Sequence, residues 1–232
     1  MRRGISLAVA AVVALGLVAG SAAAAGAQTG NLAEFCTARV TLDPLLGSGN
    51  KKAALAALDR VVANAPPAVA GAVTEIRDGY KKKGDKAFEE LSQPIAAADA
   101  FIYENCPGAK VPVAAIDYEY EGVPATLKPG VTQFKLENDA PKENHELFMV
   151  KLNPEGAAMD PEELLSLPEK KVTKLVDFST ATAAFAPPGE TGYTVTTLQP
   201  GEYVYACFIP QGGKKKGAPH FTLGMYGTFT VS

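Results

Sequence analysis

The sequence predicts an α+β, multidomain chain: a small N-terminal helical bundle, then a Greek-key β-sandwich that carries a helical insertion. Three observations predict it. Apolar residues recur at helical spacing from Asn31 to Cys106; after Pro107-Gly108 they alternate in short runs separated by Pro and Gly; and within those runs Asp160-Pro161-Glu162-Glu163 has the form of a helix start. Of the 232 residues 47% are apolar and 20% charged, enough apolar side chain to bury a sizeable core.

The first element is an address. Met1-Arg2-Arg3, an apolar run from Ile5 to Ala19 and the small-residue end Ala25-Gly26-Ala27 form the three regions of a secretory signal, so cleavage is expected near Ala27. Residues 1–27 are therefore read as a signal peptide, 28–109 as a helical domain and 110–232 as the sandwich domain. The mature chain keeps 20 basic and 25 acidic residues, a net charge of -5, and has no second stretch long enough to span a bilayer. Without a basic surplus, nucleic acid is not expected as a partner. A monomer outside the cytoplasm, in the cell envelope or beyond it, is expected.

In the helical part Val69, Val73, Ile76 and Tyr80 make one stripe, and Phe88, Leu91, Ile95 and Ile102 another. Leu55, Leu58 and Val62 make a third; Phe35, Leu42 and Leu45 suggest a fourth. Breaks are expected at Gly47-Ser48-Gly49, Pro66-Pro67 and Gly84, with Pro94 kinking or splitting the last helix. Cys36 and Cys106 lie near the two ends of this part and, in an exported protein, are the natural disulfide pair. Closing a loop of that length stabilises a fold by about 4 kcal/mol on the chain-entropy account. Cys207 is left over: a buried inert thiol, or a thiolate held by a metal.

Strands are expected around Ile116 to Tyr120, Val131 to Leu136, Leu147 to Leu152, Tyr193 to Leu198, Glu202 to Ile209 and Phe221 to Val231. Residues 157–177 form the insertion, helical after the Asp160 cap and packed outside the sandwich. Along a strand the side-chain period is two, so Tyr203, Tyr205 and Cys207 share one face and the thiol points inward. Leu198-Gln199-Pro200-Gly201-Glu202-Tyr203 reads as a tyrosine corner, a structural feature.

The chain has two histidines and three cysteines, too few for a three-imidazole site or a four-cysteine cage. Phosphate-cradling glycine loops, G-x-S-x-G and H-E-x-x-H are missing, so no enzyme activity is expected. The residues that remain converge on one motif. Gly201, Tyr203, Cys207, His220, Gly224 and Met225, with the upstream Asn144-His145 before an apolar run, match in order the ligand pattern of the cupredoxins, the blue copper proteins, which the C-terminal half resembles over residues 111–232.

The resemblance implies a cupredoxin-like sandwich with one copper ion. It would be held by the equatorial nitrogens of His145 and His220, the Cys207 thiolate and Met225 as weak axial thioether. It implies electron transfer with a redox partner protein, or copper carriage. Two imidazoles, a thiolate and a thioether suit copper in both oxidation states. Glu146, next to His145, should face away from the metal. Cys207 and His220 are thirteen positions apart, where the minimal family members have only a few residues, and the extra stretch is basic at Lys214 to Lys216, a run that on a loop is usually just solvated and whose alternative role would be to steer an acidic redox partner. A second reading makes this a non-catalytic extracellular binding or adhesion module with a vestigial metal site, distinguished by the colour of the copper-loaded protein.

Overall fold

The computed structural model describes residues 30–42, 45–46, 50–88, 90–214 and 216–232. The expected signal peptide, the expected Gly47-Ser48-Gly49 break and Lys215 fall outside the described residues. Four helices come first: α1 (Leu32–Val40), α2 (Lys51–Asn64), α3 (Pro67–Lys83) and α4 (Ser92–Asn105). Asn31 and Asn50 cap α1 and α2, their side-chain oxygens accepting the amides of Glu34 and Ala53. Pro67 opens α3 where an amide would have no acceptor, and Gly84, at φ +61°, closes it. Among the described residues no helix is long and apolar enough to cross a membrane.

Two expectations in this half are corrected. Pro94 does not kink a helix. It lies in the first turn of α4, where no intrahelical hydrogen bond is lost, and Phe88 and Leu91 precede the helix. The buried face of α2 is Ala54, Ala57, Leu58 and Val61, with Leu55 and Val62 only partly buried beside it. Small alanines let neighbouring helices approach, and a stripe drawn through the large residues alone misses that face. The Val69, Val73, Ile76 and Tyr80 stripe is buried as expected. Cys36 and Cys106 are disulfide-bonded, Cα to Cα 5.5 Å, and Arg39 on α1 pairs with Asp99 on α4 at 3.1 Å.

The second half is a two-layer sandwich. Its strands are β1 (Ala109–Ile116), β2 (Glu119–Glu121), β3 (Thr126–Leu127), β4 (Gly130–Asn138), β5 (His145–Leu152), β6 (Val176–Ala186), β7 (Thr191–Leu198), β8 (Gly201–Ala206) and β9 (Tyr226–Val231). One sheet has the order β2-β1-β4-β7, the other β3-β9-β8-β5-β6. From β4 the chain crosses to the second sheet for the β5–β6 pair and returns to lay β7 antiparallel beside β4, a Greek-key closure. Between β5 and β6 three short helices, α5 (Pro154–Ala157), α6 (Pro161–Ser166) and α7 (Glu169–Val172), form the insertion. Asp160 caps α6 by accepting the amides of Glu162 and Glu163, and Pro161 is its first residue.

Strand alternation separates two cores. Leu147, Met149, Tyr203 and Cys207 face between the sheets with Phe134, Leu136 and Phe229. Val150, Leu152, Val204 and Ala206 face outward and are covered by Leu164 and Leu165 of the insertion. Four strand expectations shift. Residues 116–120 are not one strand: the chain reverses at Asp117, φ +49°, and Ile116 pairs with Glu119. β8 ends at Ala206, β9 begins at Tyr226, and the strand β6 occupies the end of the expected insertion and the residues after it. Between the two halves the buried Gln133 on β4 donates from Nε2 to the carbonyls of Cys106, at 3.0 Å, and Pro107, at 3.3 Å. The tyrosine corner forms: the Tyr203 hydroxyl accepts the Gln199 amide at 3.0 Å, and its ring stacks on Phe229.

Candidate metal centre

Three elements bring their ends together at one pole of the sandwich. His145 is the first residue of β5, on its inward face. Cys207 follows the last residue of β8 and continues that strand's inward series from Tyr203 and Tyr205. His220 opens a turn of 3₁₀ helix, His220–Leu223, that ends at Gly224, φ +110°, a backbone geometry glycine adopts without strain. All three side chains are buried, and their donor atoms lie within 4.8 Å of one another. The Cys207 Sγ stands 3.4 Å from His220 Nδ1 and 4.0 Å from His145 Nδ1, and the two Nδ1 atoms are 3.2 Å apart.

Met225, the fourth residue the sequence points to, is buried in the same core cluster as Cys207. Its amide donates to the His220 carbonyl at 3.2 Å, and its carbonyl accepts the Cys207 amide at 3.0 Å, so the backbones of Cys207, His220 and Met225 are locked together.

The long Cys207 to His220 segment does not loosen this arrangement. The His220 amide donates to Ile209, the Phe221 amide to Cys207 and the Gln211 amide to Ala218, and Pro210 bridges Pro219. The extra residues thus leave and re-enter through a hydrogen-bonded neck, and loop-closure entropy grows only slowly with what hangs beyond such a neck. Two side chains fasten the excursion from outside: Gln211 donates to the Tyr118 hydroxyl at 2.8 Å, and the Gly212 amide donates to Glu143, at 2.9 Å to Oε2 and 3.1 Å to Oε1.

The acid after His145 has a structural task. Glu146 lies on the opposite face of β5 from His145. Its Oε1 accepts the Phe208 amide at 2.9 Å, and its own amide points at the Cys207 sulfur, 3.5 Å away. Glu146 thereby zips the His145 strand to the Cys207 loop. Asn144 is exposed; the buried asparagine is Asn138, which donates to the carbonyls of Glu143 and Ala186, both at 2.8 Å, and fixes the approach to β5. Sequence reasoning alone does not find Asn138, Glu143 and Tyr118. Asn138-Asp139, a turn-type pair just after the expected Val131 to Leu136 strand, locates the first without its role; no local pattern marks the other two, because their partners lie far along the chain.

Electrostatics keep the cluster uncharged in metal-free protein at neutral pH. Burial pushes the Cys207 thiol up to about 11, against the pull of amide hydrogen bonds from Glu146 and Ile209. Burial and the neighbouring His220 ring hold His145 down at about 4, with Glu143 and Asp117 pulling the other way. Burial lowers His220 as well, and Glu143 opposes it. Each imidazole has a buried Nε2 with no hydrogen-bond partner. Three neutral soft and borderline donors, buried and facing one another, form a candidate set for a cation that takes nitrogen and sulfur; binding it would release the thiol proton.

No protein-family model matches the chain, and no curated protein sequence matches it. Solved structures do. A dithionite-reduced auracyanin from the photosynthetic bacterium Roseiflexus castenholzii aligns at 22% identity over 54% of this chain and 99% of its own, with a TM-score of 0.36. Auracyanin A, a "blue" copper protein from the green thermophilic photosynthetic bacterium Chloroflexus aurantiacus, aligns at 21% over 53% of this chain and 98% of its own, TM-score 0.37. An azurin from the methylotroph Methylomonas sp. strain J aligns at 18% over 54% of this chain and 99% of its own, TM-score 0.31. At these identities and scores, function is read from the ligand geometry and not from the likeness.

Proposed function

We propose that this chain is an exported, non-catalytic copper protein of the cupredoxin kind, which uses one mononuclear site for electron transfer or copper carriage. The observation that carries the reading is the convergence of the chain's two histidines and its single unpaired cysteine, through Nδ1, Nδ1 and Sγ, within 4.0 Å of one another in a buried pocket. His145, His220 and Cys207 would hold the ion and Met225 would supply the weak axial thioether. Copper in such a set supplies a one-electron couple in which neither oxidation state is strongly disfavoured.

The protein's own contribution is rigidity. β5 fixes His145, the Met225 and Phe221 backbone bonds fix Cys207 against the His220 turn, and Glu146 joins the two sides. A ligand frame that does not rearrange keeps the reorganisation accompanying electron exchange small. The disulfide supports an oxidising compartment, and with it the extracytoplasmic location.

Titration of the purified mature protein with Cu(II) tests the reading. One equivalent should produce an intense blue or green thiolate-to-copper band and raise the melting temperature, and Cys207→Ala should abolish the band. A titration that gives neither colour nor stabilisation would overturn the copper reading and favour the binding module.

A further inference from the structure

We propose that Glu143 is a positioning residue for this centre: its carboxylate sets the orientation and basicity of the His220 ring and ties that ring to the 210–219 excursion. The inference rests on the copper reading above and goes beyond its ligand set.

His220 Nδ1 faces Cys207, which leaves Nε2 on the far side of the ring, buried and without a hydrogen-bond partner. A buried ring N–H without an acceptor is costly, so the group facing it matters. Glu143 faces it: Oε2 lies 3.7 Å from Nε2, and the glutamate side chain is itself 19% exposed. That distance is longer than a hydrogen bond and within ion-pair reach, where a small rotation of the carboxylate closes the gap. The same Oε2 accepts the Gly212 amide at 2.9 Å. Asn138 holds the Glu143 carbonyl at 2.8 Å, so the residue's backbone is fixed from the sandwich.

The other neighbour of His220 repeats the pattern. The Tyr118 ring packs edge-on against the imidazole, centroids 4.9 Å apart, and its hydroxyl accepts Gln211. Both groups that confine the outer side of His220 are therefore fastened to consecutive residues of the excursion. Glu143 adds what Tyr118 cannot: a negative charge aimed at the nitrogen opposite the donor. A carboxylate behind a metal-ligating imidazole selects the tautomer with the proton on the far nitrogen and raises the basicity of the near one. It thereby favours the more highly charged oxidation state of the bound ion.

Three variants of the mature protein, Glu143→Gln, Glu143→Ala and Gln211→Ala, test this. Glutamine keeps an acceptor for the Gly212 amide and loses the charge; alanine loses both; Gln211→Ala releases only the Tyr118 fastening. Copper-loaded Glu143→Gln should lose about tenfold in preference for Cu(II) over Cu(I), a rise in reduction potential of about 59 mV for a one-electron couple, while Gln211→Ala, which leaves the charge behind the ring in place, should shift the potential less than Glu143→Gln does.

The metal-free protein provides a readout that needs no copper. Nitrogen-15 NMR of His220 should show the proton on Nε2 in the wild type and a tautomer mixture in Glu143→Ala, whose Gly212 amide should also exchange faster. A wild-type His220 protonated at Nδ1, or a Glu143→Gln potential equal to that of the wild type, would overturn the proposal. Should the protein bind no copper at all, the tautomer measurement still decides the role of Glu143, so the two readings fail separately.

Discussion

The helical half and the sandwich each accommodate cysteine, and they do so in opposite ways. In the helical half, Cys36 at the start of the bundle meets Cys106 at its end and the two are bonded, closing a sequence separation of 70. In the sandwich, Cys207 is the third cysteine and has no fourth to meet; it is fully buried among two imidazoles, amides and the Tyr120 hydroxyl. Surroundings, not residue type, thus assign a thiol its chemistry. The bundle, built on Ala54, Ala57, Leu58 and Val61, is closed covalently; the sandwich, built on Phe134, Tyr203 and Phe229, holds itself by packing and leaves its sulfur unbonded between two imidazoles.

Removing the covalent closure should cost most. Cys36→Ala with Cys106→Ala is expected to destabilise the bundle by about 4 kcal/mol. Far-ultraviolet circular dichroism should lose helix at a lower temperature, while the copper band of the sandwich persists. Loss of that band together with the helices would erase the contrast between the halves.

Acid should act on the other half, and somewhat less. A His145 held at about 4 when folded, against about 6.5 in the unfolded chain, means the unfolded state takes up the proton first. Its stabilising contribution, about 3 kcal/mol at most, is complete above pH 6.5 and is lost as pH falls towards 4; the lowered His220 acts in the same direction. Alkali has the mirror effect through Cys207: with the folded thiol at about 11 and an ordinary value near 9, stability should decline between those values. Urea unfolding of metal-free protein at pH 4, 7.5 and 10 checks both limbs. A flat profile would mean that the three side chains are solvated.

The mildest change should come at the tyrosine corner. Tyr203→Phe keeps the ring stacked on Phe229 and deletes the acceptor of the Gln199 amide, for a loss of about 1 kcal/mol in denaturant unfolding with the copper spectrum unchanged.

Much of this architecture can be read from the sequence, for identifiable reasons. The donors His145, Cys207 and His220 stand out because each residue type is rare in the chain and because the inward face of β8 follows from a period of two. The Cys36 to Cys106 bridge is marked by the position of the two cysteines near the ends of the helical part, behind a leader that reads as a secretory signal. The strand β6 escapes notice because Val176–Ala186 alternates weakly: Phe178 and Phe185 both face solvent while alanines point in. The turn at Asp117 is hidden because Ile116, Tyr118 and Tyr120 alternate as a strand would, and only the positive φ of a non-glycine residue reveals the reversal. Pro94 misleads because a proline breaks a helix only inside it, and α4 starts at Ser92, which puts Pro94 in the first turn. Glu143 and Tyr118 act across long sequence separations, through Gly212 and Gln211, which no local pattern encodes.

The hydrogen-bonded neck at Ile209, Gln211, Ala218 and His220 also divides the excursion into two parts with different freedoms. None of the hydrogen bonds that tie Cys207, His220 and Met225 to one another or to Ile209 involves Gly213, Lys214 or Lys216, so these positions can be exchanged without re-aiming the donors; Gly217 cannot, because a Cβ there would collide with the Gln211 carbonyl oxygen. Positions open to exchange thus lie a few residues from His220, where the surface can change without altering the buried cluster.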